Sequence, residues 1–305
     1  MAELSPAVKE RLAPLERSNV SANDRYSFGY QFGLGHDYVV PYLEQSGIQL
    51  AGKNICEIGC GEAGVLAAIK DRGAANVVGI DIRQEAIDRA RTIFDAMKLK
   101  GDFALHNITD QDTPQPWREA FDLVILRDVI EHLDETETSL KHVMEFVKPG
   151  GHLYIVFPPY YSPFGAHQHL LKTFWGNMPF IQLLPDPIFK PLTSKAVHEI
   201  DVEEVARLRD IKLTIEDFRR SAENVGLEIV REELFFLRPV FKMKFGLPTI
   251  KANFLKHVPL LRELVALEAS YLLKKVTVTE KVKDTMGEVV RTNPEVAPAF
   301  YKVSR

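Results

Sequence analysis

The stretch Asn54-Ile55-Cys56-Glu57-Ile58-Gly59-Cys60-Gly61-Glu62-Ala63-Gly64 decides the fold. A short apolar run, Asn54–Ile58, breaks into glycines at 59, 61 and 64, and a helical pattern over Ala63–Arg72 follows at once. A strand that ends in a G-x-G-x-x-G turn before a helix brings backbone close to a ligand and aims amide groups at it. That spacing is shared by NAD and FAD sites, so alone it names no cofactor. Asp81 ends the next apolar run, about twenty residues on, where an acid either takes both ribose hydroxyls or caps the following helix.

Outward from this turn, apolar runs and helical stretches alternate. Asn76–Ile82 reads as a second strand, Gln84–Met97 as a helix and Asp102–Asn107 as a weak third strand. Phe121–Leu126 is continuous enough to be a strand buried on both faces. A helix over Glu135–Val147 is closed by Lys148-Pro149-Gly150-Gly151, a stop signal with glycine available for positive φ. His152–Phe157 is a fifth strand, stopped by Pro158-Pro159. This rhythm predicts an α/β fold with a doubly wound parallel sheet. From Tyr160 to about Leu213 it breaks, as an insertion over the carboxyl edge of the sheet would make it. It returns with a helix over Thr214–Val225, Gly226 as its cap, and a sixth strand over Leu227–Leu237. A second insertion over 238–262 precedes Leu264–Val276, whose last part reads as a seventh strand. The expected organisation is a helical segment over 1–50, one domain over 51–276 and a charged tail over 277–305.

Composition narrows the function classes. The chain has 305 residues, 46% of them hydrophobic, enough for a full core. A formal net charge of −4 argues against polyanion binding, so no nucleic-acid partner is expected. Cys56 and Cys60 have no companion ligands at metal spacing and suit buried thiols in a reducing compartment. Met1 to Asp24 carries no apolar signal core, and no uncharged apolar run reaches the roughly 18 residues of a membrane span. The expected compartment is therefore the cytoplasm.

Three features separate the cofactors. Glu57 stands two residues before the first glycine, where dinucleotide folds usually carry an apolar residue. Phe121-Asp122-Leu123-Val124-Ile125-Leu126 is followed by Arg127-Asp128-Val129-Ile130-Glu131-His132-Leu133, and later by Val147-Lys148-Pro149-Gly150-Gly151. This ordered set resembles the class I S-adenosylmethionine-dependent methyltransferases, in particular those similar to the ubiquinone-biosynthesis enzymes, over about residues 50–160 and more loosely over 214–237. The resemblance implies a Rossmann-like seven-stranded sheet, an N-terminal helical lid and S-adenosylmethionine as cofactor. It implies that Gly59, Cys60, Gly61 and Gly64 face the methionine part, although Gly64 could serve packing alone. Glu57 would orient the loop, Asp81 hold the ribose and Ile82 line the adenine. An acid after the third strand often meets the adenine amine. Here that segment reads His106-Asn107-Ile108-Thr109-Asp110, so Asn107 or Asp110 takes the place, with Ile108 beside it. Arg127 would offer its carbonyl to the sulfonium, because its cation would be repelled. Asp128 and His132, near the same strand end, are expected to line the cofactor; Glu131 and His132 have packing and capping as alternatives.

The acceptor side rests on Pro158-Pro159-Tyr160-Tyr161-Ser162-Pro163-Phe164-Gly165-Ala166-His167-Gln168-His169, at the carboxyl end of the fifth strand. Methyl transfer to a hydroxyl or acidic carbon needs a proton acceptor, and histidine suits neutral pH. His167 and His169 are the candidate bases, against a structural role in an aromatic loop. The H-x-H pair with His198, Glu199 and Asp201 matches no firm metal template, and no resident metal is expected. Tyr160, Tyr161, Phe164 and Trp175 would roof an apolar pocket, with Tyr30 reaching it from the N-terminal lid; a small core under a long loop is the alternative. The stretch over 234–262 has no acidic residue and interleaves bases with large apolar residues, which suits either an ordinary amphipathic face or contact with an anionic membrane or apolar substrate.

The leading reading is a methyltransferase for a small, fairly apolar acceptor, with oxygen or carbon methylation favoured. An RNA or protein methyltransferase ranks second. Phe157-Pro158-Pro159-Tyr160 follows the fifth strand rather than the fourth and lacks the polar first residue of amino-group methylases. A non-catalytic scaffold of the same fold is a third reading, and an NAD-dependent oxidoreductase, disfavoured by the Lys-Pro-Gly-Gly turn, a fourth.

Overall fold

In the computed structural model, residues 4–109, 112–194 and 199–276 are described. Asp110, His198 and the tail over 277–305 lie outside them. Five parallel strands form the centre: β1 (Asn54–Ile58), β2 (Asn76–Asp81), β3 (Asp102–Leu105), β4 (Phe121–Arg127) and β5 (Val147–Phe157). β6 (Leu227–Leu237), β7 (Ile250–Lys251) and β8 (Glu268–Lys275) complete a sheet of order β3-β2-β1-β4-β5-β8-β6-β7. β8 runs antiparallel between β5 and β6. The seven expected strands are thus joined by an eighth, β7, which pairs with the end of β6. Two residues carry no periodicity, so sequence pattern could not announce it.

The central strands are buried because their side chains alternate between two cores. Ile55, Leu123 and Ile125 enter one core, shared with α1 (Pro6–Glu16), α2 (Ala22–Leu34), α3 (Val40–Gln45), α4 (Gly64–Asp71) and α5 (Gln84–Ala96). Cys56, Ile58, Val124 and Leu126 enter the other, which holds α6 (Thr136–Phe146). Two helices of the insertion, α7 (Asp186–Thr193) and α8 (Glu199–Ile211), precede α9 (Ile215–Asn224), which also joins that second core. Each fully buried Leu, Ile or Phe here contributes about 1.5–3 kcal/mol. The Lys-Pro-Gly-Gly stop differs from expectation. It opens β5 through a register shift between Phe121 and Leu123, with Gly150 at φ 74°. Lys148 anchors this bulge by donating to Asp122 at 2.9 Å.

The insertion has a small core of its own, built from Tyr160, Leu171, Ile181, Phe189, Val205 and Leu208. Its two ends meet where the Tyr160 N–H donates to the Leu213 carbonyl at 2.9 Å. After β6, α10 (Pro239–Phe245) packs against α2, and α11 (Pro259–Val265) leads into β8. Sheet order reverses between β1 and β4, and the crevice at such a switch point is where open α/β sheets hold ligands.

Candidate active site

A cavity of about 580 Å³ opens at that crevice. Its floor is the glycine turn. Gly59 and Gly61 stand at φ 69° and 54°. A Cβ on Gly59 would come within 2.4 Å of Val129 Cγ2, whereas the same side of Gly61 is open space. The turn is tied to β2: the N–H groups of Gly59 and Cys60 donate to the Ile80 carbonyl. Asp81 accepts from Gly61 N–H and Arg83 N–H, each at 3.0 Å, one on either carboxylate oxygen. Arg83 itself is the residue before α5, so Asp81 does not occupy the capping position. Gly64 faces away from the cavity. A Cβ there would meet Phe28 O and Phe32 N at 2.8 Å, so this glycine lets α2 cross the start of α4.

Glu57 is buried in the cavity wall, and its Oε2 has no hydrogen-bond partner among the described residues. Burial pushes its pKa up to about 8; the Arg127 charge and the Leu66 N–H oppose this, and Asp81 adds to it. At the end of β4, Asp128 adopts a left-handed backbone with φ 53°. Arg238, at the start of α10, donates to Asp128 and, at 2.9 Å, to Glu268. Although burial alone would raise it, Arg238, Arg127 and His167 hold the Asp128 carboxyl well below its usual range.

The histidine-bearing loop after β5 brings Phe164, His167, His169 and Asn177 to the same cavity. His167 is also left-handed, at φ 52°. Non-glycine residues in this region store strain and cluster at functional sites. Burial, followed by the charges of His167, Lys244 and Arg238, pushes His169 down to about 4, against Asp128. A buried amide pair fixes the loop: Gln182 donates to the Tyr160 and Ser162 carbonyls, and Gln168 donates to Gln182 Oε1 at 2.8 Å and to the Pro163 carbonyl at 2.7 Å. From the other side, Tyr30 lines the cavity with the Lys244 ammonium 4.3 Å above its ring.

Several expected site residues are elsewhere. Tyr160 is buried in the insertion core with its hydroxyl donating to the Gln182 carbonyl, and Tyr161 borders a separate depression with it. Trp175 lies at the surface against Phe174. None of the three lines the cavity: Tyr160 is taken up by the insertion's own core, and Tyr161 and Trp175 face solvent. His132 is also displaced from the cavity wall, bonded to Glu204 of α8. Ile108 is packed in the core, while Asn107 closes a turn by accepting from the N–H and hydroxyl of Thr109. Ile82 is exposed beside Asp81. Sequence reading missed Glu62, which ties the turn to α2 through Ser27 and Gln31, and missed Arg238 as a cavity residue. Glu62 sat in the quoted turn; Arg238 was visible only as one base of a basic stretch.

The profile of a family described as a methyltransferase domain matches residues 35–232. The chain belongs to this methyltransferase family. The ubiquinone biosynthesis O-methyltransferase of Actinobacillus pleuropneumoniae serotype 7 (strain AP76) is 30% identical over 115 residues, 37% of this chain and 49% of that protein. The enzyme of the same description from Sodalis glossinidius (strain morsitans) is 32% identical over 118 residues, 39% and 45% of the two chains. The methyltransferase thus spans just under half the length of these curated relatives. A candidate sarcosine dimethylglycine methyltransferase from Galdieria sulphuraria shares the fold at TM-score 0.54 and 11% identity, over 89% of this chain and 99% of that one.

The basic stretch of the methyltransferase is divided between interior and surface: Lys242, Phe245, Phe254 and Leu260 are exposed. Arg262 is buried and Arg238 largely covered, both bonded to carboxylates, while the exposed Lys251 pairs with Glu233 and Lys256 donates to the Glu232 carbonyl. Among the described residues no helix is long and apolar enough to cross a membrane.

Proposed function

We propose that this methyltransferase methylates an oxygen or carbon of a small, fairly apolar acceptor. The observation that carries the reading is one cavity shared by the cofactor turn and the histidine-bearing loop, with Phe164, Val240, Phe241 and Phe245 as apolar wall. The O-methyltransferase activity of the curated relatives supports oxygen as the methylated atom.

The cavity suits a cationic cofactor. Glu57 offers an orphaned carboxylate oxygen, Gly61 an open approach, and Asp81 Oδ2 a lone pair for a ribose hydroxyl, Oδ1 being taken by the Arg83 N–H and side chain. When bound, S-adenosylmethionine supplies an electrophilic methyl group on a sulfonium. Arg127 presents its carbonyl on the donor side, and Ile82 gives apolar cover for the adenine. On the acceptor side Phe164 and Phe241 would exclude water, and His169 would accept the proton of the acceptor hydroxyl. Helix α2 closes the cofactor side through Tyr30 and Gln31, acting as the lid.

Incubation with methyl-labelled cofactor and a panel of apolar phenols and hydroxy compounds, alongside RNA and protein substrates, tests the reading. Labelling of a small hydroxy compound is expected, with turnover lowered sharply in His169→Ala and cofactor affinity nearly unchanged. Labelling confined to RNA or protein, or wild-type turnover in His169→Ala, would reject it.

A further inference from the structure

Beneath the acceptor side of the cavity, three ligand-type side chains converge without bonding one another. Glu131 is 2% exposed, and neither carboxylate oxygen has a hydrogen-bond partner among the described residues. Its Oε1 stands 3.5 Å from His167 Nε2 and 3.9 Å from His132 Nε2. Both separations exceed ordinary hydrogen-bond lengths. The His167 nitrogen is likewise buried and without a partner. All three ligand atoms lie within 4.8 Å of one another.

Burying a bare carboxylate and a bare imidazole nitrogen side by side is costly unless something lies between them. Ligands at about 2.0–2.2 Å from a tetrahedral zinc ion stand roughly 3.3 Å apart, close to the spacing between Glu131 and His167. His132 is prepared for the same role. With its Nδ1–H donating to Glu204, its Nε2 carries the lone pair, the carboxylate–histidine arrangement that orients metal-bound imidazoles. The left-handed backbone at His167 turns its ring toward Glu131, although it comes from a different segment of chain.

We propose that Glu131, His132 and His167 form a binding site for a divalent transition-metal ion, zinc by ligand chemistry, with Glu204 orienting His132. The H-x-H pair considered from sequence is not the ligand set: His169 stays on the cavity side, and Glu131 and His132 replace it. Two imidazoles and one carboxylate leave a fourth position open. Since His167 also lines the cavity, that position suits an acceptor hydroxyl, whose proton the ion makes easier to remove. This last role rests on the small-acceptor reading; the ion site itself does not.

The test uses tag-free full-length protein, stripped with a chelator and titrated with Zn²⁺ against a chromophoric competitor, and with Co²⁺ by visible absorption. One equivalent should bind, with the absorption of low-symmetry four-coordinate cobalt. Glu131→Gln and His167→Gln should each weaken Zn²⁺ binding by about 100-fold or more and Glu204→Gln by about tenfold, whereas His142→Asn should bind as wild type. Cofactor affinity and circular dichroism measured on the same samples check folding; Glu131→Gln preserves shape if His167→Gln does not fold. Absence of stoichiometric Zn²⁺ binding in a wild type that binds S-adenosylmethionine would overturn the site and leave the methyltransferase reading standing. Wild-type Zn²⁺ affinity in Glu131→Gln would overturn it equally.

Discussion

Cofactor binding should drive a proton off Glu57. Burial holds this carboxyl at a pKa of about 8, so at pH 7 it is about nine-tenths protonated in the free enzyme. S-adenosylmethionine carries a sulfonium and an ammonium, and a cation beside the Glu57 carboxylate favours its ionised form. If the bound-state pKa falls well below 6, binding at pH 7 releases about 0.9 proton, and affinity rises about tenfold between pH 6 and pH 7. The sign follows from protons bound: the free site holds the proton that the complex lacks, so raising pH favours the complex. The free protein moves the other way. Its folded carboxyl titrates above the unfolded one, so the stabilisation present below the unfolded pKa is lost as pH rises through about 8. Isothermal titration in buffers of different ionisation enthalpy counts the released protons directly. In Glu57→Gln the pH slope and the proton release should both vanish. A flat affinity from pH 6 to 7 in the wild type, with no proton released, would refute the reasoning.

Four further outcomes follow from the same geometry. Gly59→Ala combines left-handed strain of about 1–2 kcal/mol with the Val129 clash, and should weaken cofactor binding in calorimetry; adding Val129→Ala relieves the clash but not the strain. Gly64→Ala forces α2 off α4 against backbone atoms, so urea denaturation should show a loss of about 1–3 kcal/mol. Arg238→Met leaves the buried Glu268 without its cation and the half-exposed Asp128 without its partner, a loss of about 3 kcal/mol, with Arg238→Lys intermediate in thermal melts. Tyr160→Phe removes one hydrogen bond to Gln182, lowering stability by about 1 kcal/mol while KM for the acceptor stays unchanged, because the ring lies outside the cavity.

What sequence made legible was local. β1 and β4 read clearly because both faces of each strand are buried, which leaves an unbroken apolar run beside a glycine turn. Asp81 and Gly59 followed from that turn, since their spacing is set by one βαβ unit. The acceptor side was harder, because its partners are remote in sequence. Arg238 reaches Asp128 across 110 residues, and Glu204 reaches His132 across 72. No periodicity records such meetings. Tyr160 misled for a related reason: in a segment without period, composition says that aromatics will be buried but not in which of two places. Phe164, four residues from Tyr160, does line the cavity.

The closure of the insertion upon itself has a consequence for inheritance. Its ends are neighbours at Tyr160 and Leu213, and its interior is held by its own amides and its own apolar residues. A cassette of this kind can be lengthened, trimmed or traded between relatives without rethreading the sheet. In the proposed reading donor recognition sits on the central βαβ units, while the histidines of the acceptor side come with the cassette. The two halves of a methyl transfer are therefore free to diverge at different rates, one constrained by a single donor and the other open to whatever acceptor a lineage encounters.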